Sequence, residues 1–187
     1  MRNGTNPYRE TISRPLIISY SYSGNTRRIA REIQTASAGD WCEIHPWQPY
    51  PASFPELLRQ VKREITYRPK LLPVSLTPHR YSVIFAGSPN WCGTIAPPLA
   101  SWLSGNDLSG KIILPFCSHC GGVPCDFQRD IAKLCPKADV REALRVIDDG
   151  GNDLPEILRK WFVRAGIADV LSVPAGKGDT GIVICNQ

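Results

Sequence analysis

The chain has 187 residues, of which 42% are hydrophobic and 21% are charged, and its formal net charge is +5. These values are typical of one globular domain with a single core and exclude a disordered chain. The basic residues form no long run, so the charge favours an anionic ligand or an acidic partner and does not indicate nucleic acid.

Residues 1–14 are polar and aperiodic, which predicts a loose N-terminal arm without a signal sequence. No later segment has the length and apolarity of a membrane span. Seven cysteines are an odd number in a chain long enough to fold without disulfides. We therefore expect a cytoplasmic protein with mostly reduced thiols, and neither a membrane nor a nucleic acid as partner.

An apolar, β-branched run over residues 15–18 is followed by a cluster of hydroxyl, glycine and amide residues at 21–26. Ile29, Ala30 and Ile33 then recur at helical spacing, so the cluster is predicted to form a strand-to-helix turn. Such a turn has free backbone N–H groups and the positive end of a helix dipole, which together favour an anion.

The first helical turn also contains Arg27 and Arg28, whose charges oppose the helix dipole at a cost of roughly 0.3–1 kcal/mol each if they are solvated. A bound anion would offset that repulsion. The alternative is that Ser23 or Asn25 only caps the helix.

Alternation over residues 41–47 predicts a second strand. A proline-rich bend at 49–55 leads into a second helix, whose apolar positions are Leu57, Leu58, Val61 and Ile65. Three prolines predict a loop over 66–80. Residues 81–87 are typical of a parallel strand buried on both faces, and a loop is predicted at 88–94.

A third helix is predicted next, with Pro97 and Pro98 tolerated near its first turn and with Leu99, Trp102 and Leu103 facing inward. A fourth strand at 111–117 ends in a loop at 118–122. The remaining predicted elements are a helix at 127–134, a strand near 140–147 and a last helix at 153–165.

Five strand–helix units therefore alternate without a repeat, which predicts a doubly wound α/β fold: one parallel sheet with helices on both faces. Ligands bind such sheets beyond the carboxyl ends of the strands, at the switch point. Gly-rich and hydroxyl-rich loops follow the first, third and fourth strands, whereas the ends of the second and fifth strands are plainer. This distribution fits the strand order 2-1-3-4-5 and predicts one site built from three loops.

The motif Ser-Tyr-Ser-Gly-Asn-Thr at 21–26 resembles the phosphate loop of flavodoxins. Residues 81–98 resemble the strand, aromatic loop and helix start of flavodoxin-like proteins. Leu-Ser-Gly-Lys at 108–111 and Pro-Phe-Cys-Ser-His at 115–119 are similar to one branch of that family. The resemblance covers residues 15–166, with the arm before them and a tail of unassigned role at 167–187. It implies a three-layer α/β/α sandwich with a five-stranded parallel sheet, and noncovalent FMN.

The resemblance also implies roles for the residues of the three loops. The FMN phosphate is held by the first loop, through Ser21, Ser23, Gly24, Asn25 and Thr26. Trp91 lies against the isoalloxazine, and the loop around it contains Ser88, Pro89, Asn90, Cys92, Gly93 and Thr94. The other side of the ring is lined by Ser118, His119, Gly121 and Gly122. His119 is the candidate catalytic residue, and the alternative is that its imidazole only closes the loop.

The chain departs from that branch at two positions. Cys92 follows Trp91 where the branch often has a second aromatic residue, which removes one wall of the ring site. Cys120 interrupts what is usually a Ser/Thr-His-Gly-Gly run.

Three other motifs are rejected on their context. Residues 105–111 have the spacing of a nucleotide P-loop, but Ile112 replaces the Ser or Thr and a strand follows. The G-x-G-x-x-G motif of dinucleotide-binding Rossmann folds does not follow the first strand, so such a site is not predicted. Cys135 and Arg141 are spaced as in a phosphatase loop, but they lack its glycines and lead into a strand.

Cys117 and Cys120 form a C-x-x-C motif with His119 and Cys125 close by, which raises zinc and a dithiol as alternatives. We predict no metal, because there is no second ligand pair at fixed spacing and Cys117 is expected to point into the sheet. A dithiol involving Cys92, Cys120 or Cys125 near the flavin stays open beside inert thiols.

The resemblance therefore predicts a flavoprotein that passes electrons or hydride through FMN. One role is an oxidoreductase that uses NAD(P)H to reduce a small acceptor such as a quinone. Another is a one-electron carrier that docks to redox proteins. Carrier flavodoxins are strongly acidic as a family whereas this chain is basic, which favours the reductase. A degenerate flavodoxin-like binding module without flavin is the third alternative, and the oligomeric state, including a homodimer, is left open.

Overall fold

Short apolar segments form the strands, and amphipathic segments form the helices that cover them. The computed structural model describes residues 14–64, 68–121 and 124–167. The strands are β1 (Leu16–Ser19), β2 (Asp40–Glu43), β3 (Val83–Trp91), β4 (Thr94–Ile95), β5 (Ile112–His119), β6 (Asp139–Val140) and β7 (Leu144–Ile147). The helices are α1 (Asn25–Ser37), α2 (Phe54–Glu64), α3 (Pro97–Ser104), α4 (Phe127–Leu134) and α5 (Leu154–Arg164). The predictions for Ile65, for the arm before Arg14 and for the tail after Ile167 lie outside the described residues.

The central sheet is parallel, with the order β2-β1-β3-β5, and β6 and β7 both pair with the outer side of β5. Strand β4 pairs only with the end of β3 and is antiparallel to it. Since β5 is the fourth strand of the predicted plan and β6 with β7 occupy the fifth position, the predicted α/β class and strand order are confirmed.

Alternate residues of the strands supply two separate cores. Leu16 and Ile18 belong to a buried cluster with residues of α3 and α4, whereas Ile17 belongs to a second cluster with residues of α1 and α5. The side chains of a strand point alternately to opposite faces, so helices cover both faces of the sheet. No helix of the described residues is long and apolar enough to cross a membrane.

The loop predicted at 88–94 is wrong, because β3 continues to Trp91 and turns back into β4. Its two-residue turn consists of Cys92 (φ 55°) and Gly93 (φ 84°), and positive φ at both positions is typical of tight hairpins. The strand continues through Pro89. The carbonyl of Gly87 accepts a hydrogen bond from the N–H of Tyr20, the residue after β1, so Pro89, two residues later, faces the same side beyond the end of β1. Its missing N–H is therefore not needed there.

The single strand predicted near 140–147 is two strands, separated by residues 141–143. The partners of β6 and β7 on β5 are separated by two residues only, so one extra residue bulges from the ladder. The cause lies in β5. The carbonyls of Ile113 and His119 accept from this neighbouring segment, so Pro115 faces it as well and has no N–H to donate.

Gly87 lies in β3 at the centre of the sheet, where Phe116 of the adjacent strand leaves no room for a side chain. A Cβ at this position would lie 2.1 Å from Cζ of Phe116. We expect Gly87→Ala to lower the free energy of unfolding by about 1–3 kcal/mol, because the buried ring must move. Urea unfolding of the purified protein measures the change.

Gly105→Ala is the control for that substitution. Gly105 follows α3 with φ −83°, and a Cβ there would lie no closer than 3.3 Å to another atom. The control should therefore change stability much less. Equal effects of the two substitutions would contradict the steric explanation.

Candidate functional site at the carboxyl edge of the sheet

The turn between β1 and α1 is built on Ser21. Its Oγ accepts hydrogen bonds from the backbone N–H groups of Gly24 (3.1 Å) and Arg27 (3.2 Å). Gly24 has φ 100°, a conformation that glycine adopts at no steric cost, and α1 begins at the next residue. Ser21 therefore holds the turn in place from inside, with only 7% of its surface exposed.

The outer side of this turn presents donors. Ser23 is exposed and Asn25 is half-buried, and neither side chain hydrogen-bonds to another described residue. The N–H groups of Asn25 and Thr26 lie in the first turn of α1, which has no intrahelical acceptors. A hydroxyl, an amide and the positive end of a helix thus point to the same place, and this donor set fits a phosphate group.

The two arginines of the first helical turn are paired with carboxylates of the protein and are therefore not free for an anion. Both ends of the Arg27 guanidinium donate to the Glu43 carboxylate at the end of β2, at 2.6 and 2.8 Å, and this hydrogen bonding raises the pKa of Arg27. Arg28 pairs with Asp149 at 3.0 Å and donates to the carbonyl of Gly151. The expected dipole repulsion is therefore offset by carboxylates of the chain itself, and the arginines connect α1 to the end of β2 and to the loop after β7.

A buried hydrogen bond joins the first loop to the end of β5. Oγ of Ser118 and Oγ1 of Thr26 are 2.8 Å apart, and both residues are at most 4% exposed. One hydroxyl donates to the other, so these two predicted ligand residues connect the first loop to the end of β5.

The β3–β4 hairpin is anchored at its base by Ser88. This residue is fully buried, and its Oγ accepts from the N–H of Ala96 (3.0 Å) and donates to the carbonyl of Pro89 (3.1 Å). Thr94 donates to Asp130 of α4 at 2.7 Å. Both predicted ligand residues therefore support the hairpin, which leaves the turn residue Cys92 exposed.

Trp91, at the tip of β3, lies among three tyrosine rings. The ring centroids of Tyr20, Tyr22 and Tyr50 are 5.5, 5.7 and 4.9 Å from that of Trp91, all edge to face. Such geometry is favourable because the positive ring edge meets the negative ring face. We call Tyr20, Tyr22, Tyr50 and Trp91 the aromatic cluster.

Tyr20 and Tyr50 of the aromatic cluster are kept neutral by their surroundings. Burial is the main cause that raises the pKa values of Tyr20 and Tyr50, and the hydrogen bond from Tyr50 to Glu64 raises the second further. Tyr22 is 39% exposed and donates to the carbonyl of Pro51 at 2.8 Å. The cluster therefore presents uncharged aromatic surface at the carboxyl edge.

These tyrosines were not among the predicted site residues. Tyr20 and Tyr22 lie beside the phosphate motif, and their position at a strand end was a usable signal. Tyr50 was missed because the end of the second strand appeared plain, and that expectation is wrong: the loop after β2 contacts the same place. An aromatic residue between Pro49 and Pro51, in a bend after a predicted strand, was the available signal.

His119, the last residue of β5, is half-buried. Its Nδ1 accepts a hydrogen bond from the backbone N–H of Gly121 at 3.1 Å, which places the proton of the neutral ring on Nε2. The imidazole therefore closes its own loop and keeps one N–H that can donate. Gly122 lies outside the described residues.

The structure thus brings the three predicted loops to one edge of the sheet. Ser21, Thr26, Ser88, Thr94 and Ser118 are engaged within the protein, whereas the outward donors are Ser23 and Asn25 with the start of α1. Nearby aromatic surface surrounds Trp91. This arrangement fits a ligand with a phosphate at one end and a flat ring at the other. Among residues 14–64, 68–121 and 124–167, no group of three or more His, Cys, Asp or Glu side chains could hold a metal ion.

Comparison with protein families gives a match to the model described as Flavodoxin over residues 14–164. A comparison with curated proteins finds no match.

Solved structures share this fold. One from Bacteroides eggerthii DSM 20697, named as a flavoprotein, is 24% identical with a TM-score of 0.70, and the alignment covers 86% of this chain and 99% of that one. Another from Bacteroides uniformis ATCC 8492, also named as a flavoprotein, is 18% identical with a TM-score of 0.69, covering 78% and 97%. A flavoprotein of Lactobacillus acidophilus NCFM, solved in complex with FMN, is 19% identical with a TM-score of 0.64, covering 79% and 97%.

The different roles of Ser21 and Ser23 in the first loop can be tested by measuring the stability of their alanine variants. We expect Ser21→Ala to lower the free energy of unfolding by about 1 kcal/mol, because the N–H groups of Gly24 and Arg27 lose their acceptor. Ser23→Ala, in the same loop, removes an exposed hydroxyl without a partner and should change stability by less than about 0.5 kcal/mol. Urea unfolding without added ligand measures both. The reverse order of effects would show that Ser21 does not support the turn.

Proposed function

The chain belongs to the flavodoxin family, and we propose on this basis that it is an FMN-dependent redox protein whose flavin lies across the carboxyl edge of the sheet. The observation that carries the proposal is the convergence of a phosphate-type turn and the aromatic cluster at one edge. Tyr22, which lies in the turn, packs on Trp91 of the hairpin and so joins these two parts. When bound, FMN would supply the redox chemistry, by accepting and releasing electrons or hydride.

At the phosphate end, we assign binding to Ser23, Asn25 and the backbone N–H groups that begin α1. These groups supply neutral donors, and no metal is needed to offset a dianionic phosphate when enough donors converge. Ser21 and Thr26 position the turn through the hydrogen bonds described above.

At the ring end, Trp91 would give a flat face to the isoalloxazine, with Pro89, Asn90 and Gly93 shaping the hairpin around it. Tyr22 is 39% exposed and packs edge to face on Trp91, with 5.7 Å between the ring centroids, so no flavin ring fits between the two. We therefore assign Tyr22 to the same wall as Trp91, on the side of the phosphate turn.

His119 is the candidate for moving or holding a proton near the flavin. Its Nδ1 is occupied by Gly121, so any hydrogen bond to the cofactor or to a substrate would come from Nε2–H. Substitution by Gln or Asn keeps a donor at this place while removing the capacity to titrate.

We favour a reductase that takes hydride from NAD(P)H and passes it to a small acceptor such as a quinone. The net charge of +5 supports this choice over a one-electron carrier, since basic surface attracts phosphate-bearing donors and carriers of this family are strongly acidic. Steady oxidation of NAD(P)H in the presence of a quinone tests the preference. If the flavin-loaded protein instead exchanges electrons only with redox proteins, the carrier role replaces it.

FMN binding itself is tested by spectroscopy on the purified chain. We expect a yellow protein, or an apoprotein that binds added FMN with saturation. A colourless protein that binds no FMN would overturn the proposed function and favour a binding module that has lost its cofactor.

The phosphate assignment is tested by Ser23→Ala combined with Asn25→Ala. Hydrogen bonds to a charged group contribute about 1.5–3 kcal/mol each, so the double variant should bind FMN roughly 100-fold more weakly or worse. Ser82→Ala is the control, since Ser82 is an exposed serine next to the opposite end of β3. A titration followed by flavin absorbance or fluorescence gives the dissociation constants, and unchanged affinity would place the phosphate elsewhere.

The ring assignment is tested by Trp91→Ala and Trp91→Phe. Loss of the aromatic face should weaken FMN binding about tenfold or more in the alanine variant, whereas phenylalanine should retain most of the affinity. Riboflavin serves as a second ligand that lacks the phosphate. Trp91→Ala should weaken riboflavin binding as well, whereas the phosphate-loop variant should leave it nearly unchanged.

A further inference from the structure

Two thiols lie in contact beneath the candidate site. The Sγ atoms of Cys117 and Cys125 are 3.8 Å apart, although the residues are eight positions apart in the chain. Cys117 is fully buried in β5, and Cys125, just before α4, is 7% exposed. Among the described residues, this is the only pair of cysteines recorded in such contact.

The pairing differs from the expectation drawn from the C-x-x-C spacing. Cys120, the other cysteine of that motif, is exposed, and so is Cys92. Cys117 does belong to the core cluster, as predicted, but Cys125 belongs to the same cluster and meets it there. The partner of Cys117 is therefore a residue that follows the loop rather than one within it.

The pair is held by rigid elements on both sides. Cys117 pairs with Ser88 of the adjacent strand β3. The next residue, Ser118, forms a hydrogen bond with Thr26 of the phosphate-type turn. Cys125 precedes Asp126, whose carboxylate accepts from the N–H of Arg129 and so caps α4. A disulfide has an S–S distance of about 2 Å, so the two sulfurs at 3.8 Å would have to approach each other by less than about 2 Å.

We propose that Cys117 and Cys125 form a two-electron redox centre of their own, a dithiol that a hydroperoxide converts to a disulfide. The centre lies directly beneath the predicted flavin loops and does not require the flavin.

The chemistry starts at the more accessible sulfur. Cys125 Sγ attacks hydrogen peroxide, so that an S–O bond forms and the O–O bond breaks; the leaving hydroxide takes the thiol proton and departs as water. Cys117 Sγ then attacks Cys125 Sγ, the S–S bond forms and the S–O bond breaks, and the second hydroxide leaves with the proton of Cys117. Two thiols and one peroxide thus give one disulfide and two waters.

The environment assigns the order of the two sulfurs. Burial, followed by the neighbouring Cys125, raises the pKa of Cys117, which disfavours its thiolate and makes Cys125 the first nucleophile. Cys117 can resolve an oxidised Cys125 because that sulfur is already in contact. Ser118 and His119 lie between the two cysteines in the chain, so the disulfide would constrain the strand end that carries the candidate proton donor.

The test is a thiol map of the full-length protein before and after treatment with hydrogen peroxide. Unfolded samples are alkylated and digested with trypsin, which releases one peptide with Cys117, Cys120 and Cys125 between Lys111 and Arg129. After oxidation we expect this peptide to lose two hydrogens and to gain a single alkyl group, located on Cys120 by fragmentation. Reduction before alkylation should restore three alkyl groups.

Two substitutions check that the disulfide joins Cys117 and Cys125. In Cys125→Ser the disulfide should be absent, whereas Cys135→Ser, which removes another buried thiol, should form it as the parent protein does. The map of the parent protein does not depend on whether either variant folds.

Alkyl groups on all three cysteines after peroxide, or a disulfide that includes Cys120, would overturn the proposal. None of these measurements requires FMN, so failure here leaves the proposed function intact, and loss of FMN binding leaves the thiol map valid.

Discussion

The hydrogen bond between Thr26 and Ser118 is the constraint on which the geometry of the candidate site depends. β1 and β5 are not neighbours in the sheet, because β3 lies between them. A direct contact between the turn after β1 and the end of β5 therefore has to reach past β3, where the chain has the small residues Gly87 and Ser88. Since both hydroxyls are buried, separating them would cost the hydrogen bond without offering water in its place. This bond therefore fixes the turn relative to the strand end.

Most of the architecture could be predicted from the sequence, because strand and helix periods are local properties and a parallel sheet follows from their alternation. The errors arose at residues whose effect on the structure depends on which segment lies beside them in the fold. The loop predicted at 88–94 and the single strand predicted near 140–147 are the examples: Pro89 and Pro115 each lack an N–H on one side only, and the structure has a gap in pairing on that side. The sequence pattern along a strand does not show toward which of the two adjacent strands the backbone N–H of a given residue points.

The candidate site shows the same division. The phosphate-type turn was recognisable as a motif, whereas the aromatic cluster depends on a residue from the loop after β2, Tyr50, that no motif marked. Arg27 and Arg28 appeared in the sequence as charges that an anion would offset, but Glu43 and Asp149, distant in the chain, already do this. The start of α1 is thereby left with neutral donors, so the anion binding that we propose there would depend on hydrogen bonding more than on net charge.

The extra residue between β6 and β7 has a consequence for how this part of the chain can vary in length. Leu144 and Val146 are buried and the alternating positions Arg145 and Ile147 are exposed, so β7 has an inside and an outside. Val140 and Leu144 are four residues apart, whereas their partners Ile113 and Phe116 on β5 are three residues apart. Loss of one residue from 141–143 would therefore remove the bulge and leave β7 with the same partners and the same buried side, whereas gain of a residue would enlarge the bulge or rotate β7 so that its apolar side is exposed. The segment should thus accept shortening by one residue more readily than lengthening by one.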